Sequence, residues 1–72
     1  MSTTIPTTTN QKLVVIIPCL NEEATIGDVV RHVPRQIEGI GSVEVIVVDD
    51  GSTDRTAELA REAGAKVVSH SS

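Results

Sequence analysis

The chain has 72 residues, no Phe, Tyr or Trp, and six Lys and Arg against ten Asp and Glu, for a formal net charge of −4. That length allows one small domain burying only about 60% of its unfolded surface, with Val, Ile, Leu and Ala supplying the core and no ring available for base stacking. Scattered positive charges argue against a nucleic-acid partner, no apolar run reaches the roughly 18 to 20 residues of a membrane span, and a lone Cys19 without a signal-like opening points to a reducing, cytosolic setting.

Residues 1–11 (MSTTIPTTTNQ) are Thr-rich and nearly uncharged, with too little apolar content to offset the entropy of ordering, and are expected to form a loose, disordered tail. Residues 12–72 are expected to form one unit. Lys12 to Pro18 (KLVVIIP) is a short, β-branched apolar run that predicts a buried strand, closed by a proline that cannot donate to a ladder. In the polar turn that follows, Asn21 is placed to cap a helix and Glu22 and Glu23 to complement the positive end of its dipole. Apolar residues at 26, 29, 30, 33 and 37, three or four apart, predict an amphipathic helix that Pro34 ends near Val33.

Gly39 and Gly41 turn the chain into Val43-Glu44-Val45-Ile46-Val47-Val48-Asp49-Asp50, the run around which the rest is organised. Its Val and Ile content predicts a strand buried on both faces of a parallel sheet. Alternation sends Val48 and Asp50 to one face and Asp49 to the other, so that one carboxylate looks into the crevice beyond the strand ends. Gly51-Ser52-Thr53 then supplies a tight turn and a hydroxyl cap. Residues 56, 57, 59, 60 and 63 form the inner stripe of an Ala-rich helix that stops at Gly64. Ala65 to Val68 predicts a third strand. Arg55, Glu58 and Arg61 read as an exposed charged face, with Glu58 near Arg61 or Glu62 for weak pairing. The order β-α-β-α-β with short links implies a parallel sheet with right-handed crossovers in strand order 3-2-1, half of a doubly wound domain with one unfinished edge. The 72 residues therefore read as the front part of a longer domain.

The first βα turn, Pro18-Cys19-Leu20-Asn21-Glu22-Glu23, has no glycine and carries two acids, so it does not suit a pyrophosphate as G-x-G-x-x-G does. Carboxylates there can instead accept from ribose hydroxyls and a base N–H. Pro18, Leu20 and Glu22 share one side of an extended chain, beside Val48 and Asp50, and together they make a nucleoside slot. The competing reading is structural, with Asn21 and Ser52 capping helices and the two aspartates opening a polar turn. Cys19 is either a reactive thiol at the slot or a small buried filler. His32 and His70 have no second ligand at metal spacing and read as solvated.

Residues 14–68, carrying Ile17-Pro18-Cys19-Leu20-Asn21-Glu22-Glu23 and Val47-Val48-Asp49-Asp50-Gly51-Ser52-Thr53-Asp54 at this separation, resemble the amino-terminal half of a family 2 glycosyltransferase of GT-A fold, closest to the dolichyl- or polyprenyl-phosphate mannose and glucose synthases. The resemblance implies a three-layer Rossmann-like half domain that binds a UDP- or GDP-sugar, with Pro18, Leu20, Glu22, Val48 and Asp50 at the nucleotide-contacting positions. Leu20 stands where many members carry Tyr. It further implies Mg²⁺ or Mn²⁺, with an acidic metal motif, catalytic base and acceptor site beyond Ser72, a polyprenyl phosphate as acceptor, and membrane association on the cytosolic face through those other regions. No catalytic or metal residue is assigned within the chain. The rival reading is a non-catalytic module that binds a nucleotide weakly or pairs its open sheet edge with another chain.

Overall fold

The computed structural model describes residues 11–70. The elements run β1 (Lys12–Cys19), α1 (Ile26–His32), β2 (Ser42–Asp49), α2 (Thr56–Glu62) and β3 (Lys66–Ser69). They form one three-stranded sheet in order β1-β2-β3, parallel throughout. This is the α/β half domain anticipated above, with β2 central. The expected tail lies outside the described residues except for Gln11, whose carbonyl oxygen accepts the Gly41 and Ser42 amides at 2.9 and 3.3 Å and anchors the start of the sheet.

Strand β1 runs one residue past Pro18, which is paired in register with Val48. Proline is tolerated there because β1 is an edge strand. The Cys19 carbonyl oxygen accepts the Asp50 amide at 3.0 Å, so Cys19 turns its backbone toward β2 and its neighbour Pro18 turns the position of its missing N–H to the open side.

Register aligns Val15, Val45 and the Ile17–Val47–Val67 row on one face, followed by Cys19 and Asp49. Both helices pack on this face. Val45, Val47, Ile26, Val30 and Ala60 are buried to 2% exposure or less, with Val33, Leu59 and Ala63 packed around them. Each fully buried Val or Ile side chain contributes about 1.5 to 3 kcal/mol, more than these seven-residue helices would gain in isolation. The opposite face carries Val14, Ile16 and Val68, all exposed, so β2 is covered on one side only. The expectation of burial on both faces fails among the described residues for a geometric reason: two right-handed crossovers that step in the same direction lay both helices on the same side.

Val29, expected on the inner stripe of α1, is 44% exposed, because a helix this short covers the sheet along the Ile26–Val30 line. The end of α2 follows expectation. Gly64 takes φ +105, its amide donates to the Arg61 carbonyl at 3.0 Å, and the Ala65 amide donates to the Ala60 carbonyl at 3.1 Å, a Schellman closure. On the exposed side of α2, Glu58 pairs with Arg55 at 2.7 Å and not with Arg61, and Glu62 also lies 3.9 Å from Arg55. His32 is exposed, with Nδ1 2.7 Å from the Asp28 carbonyl oxygen.

Candidate functional site

At the carboxyl end of the sheet, β1 and β2 each run into a loop that leads to a helix. Asp49, on the helix-covered face, is 5% exposed, and its Oδ1 accepts the Ser52 amide at 3.0 Å. Its main chain completes the sheet, the Asp49 carbonyl oxygen accepting the His70 amide at 2.8 Å. Asp50 is exposed and lies one residue past β2, its amide bonded to the Cys19 carbonyl oxygen, two residues beyond Val48, which pairs with Pro18. The two carboxylates differ in burial, Asp49 used inside the fold and Asp50 exposed to solvent. Gly51 takes φ +92, a left-handed turn that a Cβ would strain, and thereby bends the chain away from the strand.

Leu20, 51% exposed, and Glu22, also exposed, lie on the first loop. Of the five expected slot residues, the sheet register brings Pro18 and Val48 side by side, and Asp50 follows one residue past the end of β2. The Glu22 carboxylate lies toward its own helix, Oε2 accepting from the Thr25 hydroxyl at 3.3 Å, while the Glu22 carbonyl oxygen accepts the Thr25 and Ile26 amides at 3.0 and 2.8 Å.

The expected helix caps do not form. No side chain caps α1 or α2 at its N-cap position, Thr25 and Arg55 respectively. Asn21 and Ser52 bond to each other's loops instead. The Asn21 amide donates to Ser52 Oγ at 2.8 Å, and the Thr53 amide donates to Asn21 Oδ1 at 3.0 Å. Asn21 takes φ 52, a left-handed conformation that asparagine tolerates, and this turns both its amide and its side chain toward the second loop instead of forward to α1.

Two residues not singled out from the sequence extend this network. Thr56, fully buried at the start of α2, accepts the Glu22 amide on its hydroxyl oxygen at 2.8 Å, and the hydroxyl donates to Asp54 Oδ1 in a short bond. Asp54 also accepts the Thr56 amide at 2.9 Å on Oδ1 and the Glu23 amide at 3.2 Å on Oδ2. The Thr56 hydroxyl bond, followed by these amides, holds the Asp54 carboxyl below the usual range. The Asp-x-Thr spacing ahead of an apolar helix was the available signal for this pair, a side chain reaching the backbone two residues on.

Cys19 is buried. Burial first, then the negative charges of Asp49, Glu22 and Asp54, push its thiol up from the ordinary range, which leaves it protonated and poorly nucleophilic. Among the described residues no three His, Cys, Asp or Glu side chains converge in a way that could hold a metal ion. Asp49 is buried and bonded to the Ser52 amide while Asp50 is exposed, so the residues present do not fit a divalent-cation site. No helix among the described residues is long and apolar enough to cross a membrane.

The family model described as Glycosyl transferase family 2 matches residues 14–72. The 4,4'-diaponeurosporenoate glycosyltransferase of Staphylococcus haemolyticus is 49% identical over 59 residues, 82% of this chain and 15% of that protein. The glucosyl-3-phosphoglycerate synthase of Mycolicibacterium smegmatis is 51% identical over 55 residues, 76% of this chain and 18% of that protein. Among solved structures, the glucosyl-3-phosphoglycerate synthase of Mycobacterium tuberculosis in complex with Mn²⁺, UDP-glucose and glycerol 3-phosphate superposes with a TM-score of 0.66 at 43% identity, over 82% of this chain and 21% of that one. The chain thus spans about a fifth or less of the length of these relatives.

Proposed function

The chain belongs to glycosyl transferase family 2, and from that premise we propose that it forms the nucleotide-binding part of a hexosyltransferase whose donor is a UDP-sugar. The observation that carries this reading is the exposed Asp50 carboxylate just past the carboxyl end of the central strand, two residues beyond Val48, which pairs with Pro18; alternation would set it on their face. An ionised carboxylate there accepts from the ring N–H of a pyrimidine base, a charge-assisted bond that also orients the base. Pro18, Val48 and Leu20 offer apolar walls, Leu20 with an aliphatic edge where a ring would stack. Glu22 serves the ribose by turning from Thr25 to accept its hydroxyls. Solved relatives are complexed with Mn²⁺ and UDP-glucose or with Mg²⁺ and UDP, and such a cation would supply charge neutralisation for a leaving diphosphate. Its ligands are not assembled from the residues described here. Asp50 and Glu22 hold the nucleoside, and the chain's own contribution to the chemistry is orientation.

The two curated relatives are named for different acceptors, and neither for a polyprenyl phosphate. A segment that both share at about half identity with this chain therefore tracks the donor, and the acceptor is left to other parts of the enzyme. A buried, protonated Cys19 suits a reducing cytosolic setting.

Titration of the full chain with UDP, followed by backbone and methyl chemical shifts, tests the donor reading. The expected result is saturating shifts at Leu20, Glu22, Val48 and Asp50 with a dissociation constant on the order of 1 mM, about 4 kcal/mol of binding. Shifts absent at these residues, or spread evenly over the surface, would rule the reading out. The edge of β1, where Val14 and Ile16 are 40% and 62% exposed beside backbone that no strand among the described residues pairs, supports self-association of the chain. Sedimentation should show weight-average mass rising with concentration, and a constant monomer mass would remove that proposal.

A further inference from the structure

The two loops of the proposed slot are tied by four hydrogen bonds that cross from one to the other: Asn21 amide to Ser52 Oγ at 2.8 Å, Thr53 amide to Asn21 Oδ1 at 3.0 Å, Glu22 amide to Thr56 Oγ1 at 2.8 Å, and Glu23 amide to Asp54 Oδ2 at 3.2 Å. Asn21 alone contributes on both sides of the exchange, donating from its backbone and accepting on its side chain. It stands between Leu20 and Glu22, while Ser52 and Thr53 follow Asp50 by two and three residues. The Ser52 amide in turn reaches the buried Asp49 carboxylate at 3.0 Å. A continuous path of bonds therefore runs from the end of β2 through Ser52 to Asn21.

Leu20, Asn21, Glu22 and Glu23 are all exposed, so burial does not hold the first loop in place. Polar contacts across the loops must do so. We propose that Asn21 is a positioning residue for donor binding: its double bond to the Ser52–Thr53 turn fixes the Leu20–Glu22 wall at a set distance from Asp50, so that base and ribose meet both walls at once. This rests on the donor-site reading above. Without the latch each wall still folds, but a nucleoside pays to bring the two together, and affinity falls without any contacting group having been removed.

The test is a chemical-shift titration of the full chain with uridine, a probe that carries no phosphate charge. Asn21→Gly keeps the left-handed backbone while deleting Oδ1, and Ser52→Ala deletes the other acceptor. Each should raise the uridine dissociation constant about tenfold, equivalent to one net hydrogen bond, and should speed exchange of the Thr53 or Asn21 amide respectively. Asn21→Asp retains both the acceptor and the tolerance of positive φ, and should restore most of the affinity. Val33→Ala, which trims the far end of the core, should lower the melting temperature yet leave the constant within about twofold, which separates positioning from stability. If wild type binds uridine and Asn21→Gly and Ser52→Ala bind it equally well, or if Val33→Ala weakens binding as much as they do, the latch has no positioning role. If wild type shows no uridine shifts at Leu20, Glu22 and Asp50, the donor reading itself fails and takes this inference with it.

Discussion

Asp50→Ala is expected to raise the dissociation constant for UDP by about 10- to 150-fold, the loss of one charge-assisted hydrogen bond worth about 1.5 to 3 kcal/mol. Asp49→Asn is expected to leave it within a few-fold. The two residues are adjacent and chemically identical and both variants remove the negative charge, so the contrast tests whether that charge acts from one position or from either. Asp49 lies on the helix-covered face, 5% exposed, and already spends Oδ1 on the Ser52 amide. Asparagine keeps that oxygen, so the turn survives while the charge is removed. Asp50 has no such duty and faces solvent. Calorimetric or shift titration of the two variants reads the difference directly. Comparable losses from both would show that the charge of the acidic pair, and not the facing of one carboxylate, governs binding.

Thr56→Val should be the most damaging single substitution outside the apolar core, lowering stability by about 2 to 4 kcal/mol and the midpoint of thermal unfolding by about 10 to 25 °C. Valine matches threonine in shape, so packing is preserved and only the hydroxyl is lost. That hydroxyl is fully buried and works twice, as acceptor for the Glu22 amide and as donor to Asp54. Its removal strands one backbone N–H and takes from the Asp54 carboxylate its principal stabilising partner. Thr56→Ser, which returns the hydroxyl and sacrifices a methyl group, should recover most of the loss at a cost of about 1 kcal/mol. A Thr56→Val midpoint within about 3 °C of wild type would mean that water satisfies these groups and that the loop junction is not under such stress.

The parts of the fold legible in the sequence are those fixed by local pattern. The Val43–Asp50 run, the three-and-four spacing through Ile26, Val30 and Val33, and Gly64 at the helix stop all reappear in the structure because each is decided within a few residues of itself. The sidedness of the sheet was not legible. Val14, Ile16 and Ile46 look as apolar as their neighbours, and what leaves Val14 and Ile16 exposed is the direction of the crossovers. The loops were misjudged for a different reason. Asn21 and Ser52 each have two good uses, a local cap or a bond to a partner 31 residues away, and side-chain chemistry does not choose between them. The left-handed φ of Asn21 makes the choice, and an Asn with no glycine beside it was the only hint. The period of two reaches as far as Asp49, which ends β2 buried, while Asp50 follows the strand exposed.

Strand β3 has four residues and pairs only with Ile46 to Asp49, so Ser42 to Val45 of β2 have no neighbour on that side. In place of a third strand, that end of the sheet has a cleft bordered by Lys12, Arg35, Glu44 and Lys66, and the Lys12–Glu44 contact at 2.9 Å joins two largely solvated groups that add little. The opposite end has all three strands paired, the Asp50 and His70 amides bonded to the preceding strand tips, and the loops above them sewn together. Thermal breathing of this molecule consequently has a polarity. Fraying is expected to enter on the β3 side where the strands begin, so that the end carrying the loops tied through Asn21 and Ser52 keeps its shape through fluctuations that have already loosened the rest.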